Sequence, residues 1–270
     1  VKILAINLKI DRNDRMKYWI ISKKDETSQK YVKKLHKEIE LDLDEKAPDI
    51  VIAIGGDGTF ISAVHQYPKA IHFGLHTGHL GFYANYTLAD IDTLIDDINH
   101  SSFVCEKIDS LKCELKTSHT SFVTYAINEM TILMPPKTLI LDVKVDGELL
   151  ETFRGTGVCL STAYGSTAYN KSLDGAIVDS TIHSIQLAEI AGINSNQFRT
   201  LSTSLVLSSK RVVSLHTKEE EHVFVTIDNQ SYDLKDFMQA DISLLESQIK
   251  IGCHTKRSFI QRIKKAFFQE

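Results

Sequence analysis

The sequence predicts an α/β N-terminal domain with a parallel sheet, followed by a β-rich C-terminal domain. From residue 16 to about residue 102, apolar runs typical of buried strands alternate with segments of helical periodicity. From about residue 103, short strand-like segments replace this alternation. We therefore expect domains at 1–102 and 103–252, and a C-terminal helix within 253–270 that docks back on the N-terminal domain.

The elements of the N-terminal domain follow from apolar periodicity and helix-start signals. Residues 1–15 precede the pattern, and the sequence leaves open whether they are an upstream extension, a result of start-site choice or an edge strand. We predict strands at 17–22, 48–54 and 70–75, and helices at 28–40, 59–67 and 88–99.

The β-rich domain is read from short apolar segments separated by turn signals. Asp146 and Gly147 form a hairpin turn signal between two of these segments. We predict strands at 111–115, 122–127, 130–133, 139–145, 149–153, 205–207, 212–215, 223–227 and 249–252, and one helix at 180–190. The basic amphipathic segment 259–268 is interpreted as a docked terminal helix in preference to a membrane-surface helix.

Composition limits the class of partner. The 270 residues contain 31 Lys and Arg against 35 Asp and Glu, a net charge of -4, so no global basic field favours nucleic acid. The longest apolar runs are too short to cross a bilayer, and four cysteines without C-x-x-C spacing fit a reducing compartment. We expect a cytoplasmic protein with no nucleic-acid or membrane partner.

The most informative motif is Gly-Gly-Asp-Gly-Thr at 55–59, between a predicted buried strand and a predicted helix. Its glycines let a backbone approach a ligand closely. The N–H groups at the start of the helix offer an anion site, at the strand ends where ligands of parallel sheets bind. The motif fits neither a Walker loop nor G-x-G-x-x-G.

Asp57 is an unusual residue beside phosphates, because its carboxylate repels them unless a metal ion or a proton-accepting role accounts for it. Phosphoryl transfer to an alcohol uses a base near the acceptor hydroxyl and Mg²⁺ across the phosphates. We therefore interpret Asp57 as catalytic. The alternative is an ordinary Asp-Gly turn in which Thr59 caps the helix.

The motif at 55–59 resembles the signature of NAD kinases, of diacylglycerol and sphingoid-base lipid kinases and, more loosely, of phosphofructokinases. Three further segments resemble NAD kinases specifically: His-Thr-Gly-His-Leu-Gly-Phe at 76–82, Asn128-Glu129, and the run from Phe153 to Ser172. The similarity extends from about Met16 to the C-terminus and is closest to bacterial enzymes of Gram-positive type. It implies the fold shared by NAD kinases and diacylglycerol kinases.

The resemblance implies transfer of the γ-phosphoryl of ATP, or of polyphosphate, to the adenosine ribose 2′-hydroxyl of NAD, which makes NADP. Asp57 would be the general base. The resemblance assigns substrate and nucleotide binding to Gly56, Gly58, Thr59, Asn128, Glu129, Arg154, Thr156, Thr167, Ala168, Tyr169, Asn170, Lys171, Ser172, Ala191 and Asp228. It implies NAD and ATP as partners, Mg²⁺ or another divalent cation carried by the nucleotide, and a homodimer or homotetramer whose subunits share the NAD site.

Residue chemistry agrees with parts of this assignment. The amide and carboxylate of Asn128 and Glu129 suit a ribose diol, although a strand end with solvated side chains is the alternative. His72, His76 and His79 have spacings compatible with zinc on a helix, but the glycines among them favour a strand and a loop. We therefore expect no fixed metal site.

Three positions depart from the family pattern. Thr156 replaces a usual acidic residue, Tyr164 a small hydroxyl residue and Asp174 a glycine. An inward Tyr164 would fill part of the NAD pocket, and Asp174 adds negative charge near a phosphate-rich ligand. Two alternatives therefore stay open: a divergent paralogue that binds NAD or NADP without turnover, and a lipid kinase that shares the glycine motif.

Overall fold

The computed structural model of the protein describes residues 16–78, 81–256 and 258–268. They form two compact units. The second unit is Ile108–Gln248, and the described residues before and after it form the first. The possible extension at 1–15 and His79 lie outside the described residues.

The elements are numbered in chain order over the described residues. The α-helices are α1 Glu26–Glu38, α2 Asp57–Gln66, α3 Ile91–His100, α4 Tyr169–Ser172 and α5 Phe259–Phe267, and short 3-10 helices span Leu88–Asp90 and Gly165–Thr167. The strands are β1 Lys17–Ser22, β2 Asp42–Leu43, β3 Ile50–Ile54, β4 Ile71–His76, β5 Tyr86–Thr87, β6 Val104–Thr117, β7 Ser121–Ala126, β8 Glu129–Leu133, β9 Leu139–Val145, β10 Glu148–Gly155, β11 Gly157–Thr162, β12 Ser184–Ile190, β13 Leu205–Ser208, β14 Val213–Ile227 and β15 Gln230–Cys253.

The first unit contains the predicted parallel sheet. Strand β3 pairs in parallel with β1 and β4, while β2 pairs with β1 and β5 pairs with β4. Every residue of β3 is buried, as its continuous apolar run predicts for a strand covered on both faces. The registers align Ser22, Ile54 and Leu75, so the carboxyl ends of β1, β3 and β4 meet at one edge.

Side-chain caps define the starts of two helical segments in the first unit. Asp25 accepts a hydrogen bond from the Ser28 amide at 2.8 Å at the start of α1. Thr87 and Asp90 form a capping box at the 3-10 turn before α3, near the predicted helix start at 88. Helix α2 begins at Asp57, two residues before the predicted start at Thr59, with Gly56 as its N-cap.

The second unit is mainly antiparallel. Strand β11 pairs with β8 and β12, β12 pairs with β13, and β14 pairs with β8, β9 and β15. Asp146 and Gly147 have φ of 51° and 83° and form the predicted hairpin turn between β9 and β10. The buried residues of these strands, among them Leu141, Leu160 and Val225, form one apolar core.

The helix predicted at 180–190 is wrong, because residues 184–190 form strand β12. Ile185 and Leu187 face the main core, and Ala188 and Ile190 pack with Cys159 in a second cluster. Both faces are covered, so the apolar residues run almost continuously, and a run of this length fits a buried helix as well as a buried strand.

The end of the β-rich region has fewer and longer strands than predicted. The strands predicted at 212–215 and 223–227 are parts of β14, whose pairing with β15 shifts register between His216 and Val223. The strand predicted at 249–252 is the end of β15, which has 24 residues. Polar residues along the exposed face of β15 hide its strand pattern.

Helix α5 is connected to β6 by a buried ion pair. The guanidinium of Arg262 donates to the carboxylate of Glu106 through two nitrogens, and their side chains are 6% and 5% exposed. Burial removes both charges from water, so each depends on the other for compensation.

No helix of the described residues is long and apolar enough to cross a membrane.

Replacement of Glu106 by glutamine should lower the free energy of unfolding by about 3–5 kcal/mol, because it leaves Arg262 charged and buried. Urea unfolding followed by the fluorescence of Trp19, the single tryptophan, which lies in β1 of the same unit, measures this loss. The double variant Glu106→Leu with Arg262→Met should recover most of it. A Glu106→Gln variant as stable as the wild type would contradict this reading of the pair.

Candidate active site

The glycine motif lies at the carboxyl edge of the parallel sheet. Gly55 follows β3, and its amide donates to the Leu75 carbonyl at 3.0 Å. Lys23 follows β1 at the same edge, and its amide donates to the Ile54 carbonyl at 3.1 Å. This edge is where ligands of parallel sheets bind, and the exposed Lys23 adds a cation beside the motif.

The carboxylate of Asp57 rests against backbone N–H groups. The amides of Phe82 and Tyr83 donate to its two oxygens at 2.9 and 3.2 Å. Gly81 contacts the same carboxylate so closely that a Cβ atom there would overlap it. The motif at 55–59 and the segment at 81–83 therefore form one structure around Asp57, whose oxygens keep acceptor capacity for a further donor.

The motif leaves space next to Asp57. Among the described residues, a Cβ atom built on Gly58 would meet nothing within 4 Å, and one on Gly56 would meet only the His76 ring, at 4.0 Å. Gly58 is exposed, and Thr59 is half-buried in the first turn of α2. An anion can approach the backbone here without displacing a side chain.

In the second unit, Asp228 fixes the backbone that carries Asn128 and Glu129. Its carboxylate accepts hydrogen bonds from the amides of Ile127, Asn128 and Glu129 at 2.8, 2.8 and 3.1 Å. The Asp228 amide donates to the Glu129 carbonyl at 2.9 Å. With both oxygens bound by backbone groups, Asp228 acts on the position of its neighbours.

Glu129 carries a buried carboxyl group. Burial raises its pKa to about 8, the Asp228 charge acts in the same direction, and a hydrogen bond from the Tyr169 amide partly opposes them. One carboxyl oxygen, Oε2, is buried and has no hydrogen-bond partner among the described residues. The alternative of a solvated strand end is therefore wrong for Glu129, and Asn128 is buried as well.

The turn after β11 packs directly on Asn128. Gly165 approaches the Asn128 carbonyl so closely that a Cβ atom would overlap it. Thr162 holds this arrangement, because its hydroxyl donates to the Ile127 carbonyl at 2.7 Å and accepts from the Gly165 amide at 3.0 Å. The structure thus brings the segments 127–129 and 162–169 together with Asp228.

The predicted residues after this turn differ in exposure. Tyr169 is 41% exposed, so its ring is available for stacking. Thr167 and Ala168 are half-buried, and Lys171 and Ser172 are exposed. Asn170 is fully buried, and in the part of the chain that the structure describes neither of its side-chain polar atoms has a hydrogen-bond partner.

Arg154, Thr156 and Ala191 form a separate group. The Arg154 guanidinium lies 4.3 Å from the Phe198 ring centre. The Thr156 amide donates to the Ile190 carbonyl at 3.0 Å, beside Ala191, which has φ of 49°. Ser161 pairs with Glu129 at the other end of β11, so at about 3.3 Å per residue this group lies roughly 16 Å from Glu129.

Two of the residues that depart from the family pattern have clear structural positions. Tyr164 is buried, and its carbonyl accepts from the Thr167 hydroxyl at 2.9 Å. Asp174 has φ of 58°, a left-handed conformation that glycine adopts most easily and that Asp tolerates better than most residues. The usual glycine at 174 is therefore explained by backbone conformation.

Histidine and acidic residues form no metal cluster in the part of the chain that the structure describes. His72 is fully buried, its Nε2 lies 3.0 Å from the Tyr67 carbonyl, and burial lowers its pKa to about 4. This environment keeps the ring neutral. His76 interacts locally, since its Nδ1 accepts from the Gly78 amide at 3.0 Å.

Comparison with known proteins identifies the family. Residues 11–103 match the ATP-NAD kinase N-terminal domain and residues 127–252 match the ATP-NAD kinase C-terminal domain. The NAD kinase of Streptococcus pyogenes serotype M1 is 38% identical over 234 residues, which span 84% of this chain and 84% of that protein. The chain belongs to the NAD kinase family. Membership confirms the sequence resemblance, makes the chain a phosphotransferase and favours NAD kinase activity over the lipid-kinase and non-turnover alternatives.

Solved structures of the NAD kinase family have the same fold. Yeast NADH kinase, determined with NADH, aligns with a TM-score of 0.79 and 21% identity over 96% of this chain and 90% of that chain. The NAD kinase of Archaeoglobus fulgidus, determined with ATP, aligns with a TM-score of 0.72 and 20% identity over 93% of this chain and 99% of that chain. These similarities confirm the predicted fold class.

Sequence reasoning missed four residues that shape the two candidate regions, the glycine motif of the first unit and the segments around Asp228 in the second. Gly81 and Tyr83 contact the Asp57 carboxylate. Thr162 joins the segments 127–129 and 162–169 of the second unit, and Lys23 lies beside the glycine motif. Gly81 and Thr162 lie in segments that carry the resemblance. Neither segment shows by itself which backbone group each residue touches.

Replacement of Glu129 by glutamine should stabilise the fold at high pH. The wild-type pKa is raised above its ordinary value of 4.5, so stability is present below about pH 4.5 and is lost as pH rises to about 8. Glutamine carries no charge at any pH. We expect the variant to gain roughly 1–3 kcal/mol at pH 8.5 and almost nothing at pH 5, measured by calorimetry. An equal difference at both pH values would contradict the buried carboxyl group.

Replacement of Gly165 by alanine should move Asn128, because the added Cβ atom overlaps the Asn128 carbonyl. We expect a loss of about 1–3 kcal/mol of stability together with weaker NAD binding, measured by urea unfolding and calorimetric titration. Gly147→Ala is the control, since its left-handed turn also disfavours alanine but, apart from its chain neighbours, no described residue lies within 4 Å of the added Cβ atom. Equal NAD affinities of the two variants would contradict the role of Gly165.

Proposed function

We propose that this chain transfers the γ-phosphoryl of ATP to the adenosine ribose 2′-hydroxyl of NAD, with Asp57 as the general base. One observation carries the proposal: the Asp57 carboxylate is held at the start of α2, beside an open glycine backbone at the carboxyl edge of the parallel sheet. Polyphosphate is the alternative donor.

The surroundings of the Asp57 carboxylate suit a general base. The amides of Phe82 and Tyr83 donate to its two oxygens and fix its direction. An acceptor hydroxyl placed against the remaining lone pairs would give up its proton as its oxygen attacks the γ-phosphorus. The start of helix α2 near Gly58 and the charge of Lys23 favour the developing negative charge.

The proposed acceptor site is the cluster around Glu129. Below about pH 8 its carboxyl group holds a proton, so it can donate as well as accept a hydrogen bond. Asn128 adds an amide, and the exposed Tyr169 ring adds a stacking surface. These groups match a ribose diol and an adenine ring.

We also propose that the active form is a homodimer or homotetramer. The group at Arg154, Thr156 and Ala191 lies roughly 16 Å from Glu129 along β11, although the resemblance assigns both to NAD binding. A second copy of the chain that supplies this group to a neighbouring acceptor site resolves the separation. The cytoplasmic location stays a prediction from the sequence.

Divalent cation chemistry fits the donor side. Mg²⁺ would enter with the donor, whose phosphate oxygens supply ligands of the kind it prefers, and would neutralise charge across the phosphates. Asp57 offers carboxylate oxygens with remaining acceptor capacity next to that position. The protein residues bind and orient the substrates, and Asp57 holds the proton.

Replacement of Asp57 by asparagine tests the assignment. We expect NADP formation from NAD, ATP and Mg²⁺ to fall by roughly two to four orders of magnitude. Stability should fall by only about 1–2 kcal/mol, because the amide loses one of two backbone hydrogen bonds, and NAD affinity should stay near that of the wild type. Undiminished turnover would remove Asp57 from the mechanism.

The wild type is assayed beside Thr156→Asp and Tyr164→Ser. NADP formation by the wild type supports the kinase and shows that both departures are compatible with turnover. Tight NAD binding without product, with turnover restored by Thr156→Asp, would instead identify a binding protein that lacks a required acidic group.

A further inference from the structure

The first unit contains a cavity of about 520 Å³ between the segment 81–85 and helix α5. Its volume falls within the range of small-molecule sites, about 300–1,000 Å³. Lys256, Lys264 and Lys265 line it, and no carboxylate is among the described residues of its lining. The cavity is therefore built to receive negative charge.

The charge of the lysines is not cancelled by the buried ion pair nearby. Arg262 also lines the cavity, but its guanidinium is bound to the Glu106 carboxylate. The three lysine side chains lie on exposed residues, so their ammonium groups can move toward a ligand. Flexible ammonium groups with three donors each suit the oxygens of a phosphate chain of variable conformation.

The cavity adjoins the residues that hold the Asp57 carboxylate. Gly81 and Phe82 line the cavity, and the same two residues contact Asp57, Phe82 through its amide at 2.9 Å. The Phe82 ring also lies 6.0 Å from the Phe267 ring of α5, measured between centres. One short segment thus contacts both Asp57 and the helix that carries two of the lysines.

The walls of the cavity are connected through a buried carboxylate. Asp97 accepts from the Tyr86 hydroxyl at 2.7 Å, just after the wall segment 81–85. The Nδ1 atom of His254 lies 3.0 Å from the same carboxylate, just before Thr255 and Lys256 in the opposite wall. The Asp97 carboxylate is 1% exposed, whereas the His254 side chain is 58% exposed.

We propose that this cavity binds the oligophosphate chain of the phosphoryl donor, a nucleoside triphosphate or inorganic polyphosphate. The assignment rests on the proposed kinase function. Lys256, Lys264 and Lys265 neutralise the chain, and the shared segment at 81–82 places its reactive end on the side of Asp57. The part of the donor that is recognised is the phosphate chain, and any nucleoside extends beyond the lysines.

The test compares Lys264→Gln/Lys265→Gln with a matched control, Lys33→Gln/Lys37→Gln. The control removes the same charge from exposed positions on α1 of the same unit. Calorimetric titration of the full chain with inorganic tripolyphosphate, and separately with ATP, gives the affinities in magnesium buffer. We expect the cavity variant to bind both at least about fivefold more weakly, and the control to stay within about twofold of the wild type.

Kinetics separate the donor site from the kinase itself. The KM for ATP and for polyphosphate should rise in the cavity variant while the KM for NAD stays unchanged, and Lys264→Arg/Lys265→Arg should restore the donor KM. NADP formation with an unchanged donor KM overturns the donor site alone. Absence of NADP from the wild type overturns the proposed function and the donor role with it. A loss of affinity confined to ATP overturns recognition through the phosphate chain.

Discussion

Three consecutive backbone amides depend on one carboxylate, and the positions of Asn128 and Glu129 depend on that arrangement. Asp228 accepts from the amides of residues 127, 128 and 129, about one hundred positions away in the chain. Buried amides without a partner would each destabilise the fold by about 1–3 kcal/mol. The carboxylate therefore holds a turn that the backbone alone would not keep, and the side chains of Asn128 and Glu129 point where this turn directs them.

The same arrangement sets the chemistry of Glu129. Asp228, which accepts a hydrogen bond from the Glu129 amide, also acts on the Glu129 carboxyl group through its charge. That charge adds to burial and raises the pKa of Glu129 to about 8. In the first unit, two backbone amides hold the carboxylate of Asp57 in a similar way. Backbone donors thus position both acids.

Local sequence patterns predict local structure, but they do not predict the long-range contacts around Asp57 and Asp228. The run at 50–54, the glycine motif and the Asp146-Gly147 turn carry their signals within a few residues, and the structure has each of them. The helix predicted at 180–190 was wrong because burial on both faces erases the alternation of a strand. The carboxylates of Asp57 and Asp228 are bound by backbone amides of residues about 25 and 100 positions away in the chain. Backbone atoms carry no residue-specific signal. Resemblance to family motifs identified these acids, but not what holds them.

The three departures from the family pattern differ in what they can affect. Asp174 satisfies a left-handed backbone position, and Tyr164 is buried in the turn after β11, so both have roles in the fold. The backbone of Thr156 is paired on both sides, since its amide donates to Ile190 and its carbonyl accepts from Met134. The side chain of Thr156 is half-buried, and its backbone does not adopt a left-handed conformation. Unlike a glycine at 174, an acid at 156 is therefore not required by the backbone conformation, so its replacement by Thr156 changes charge.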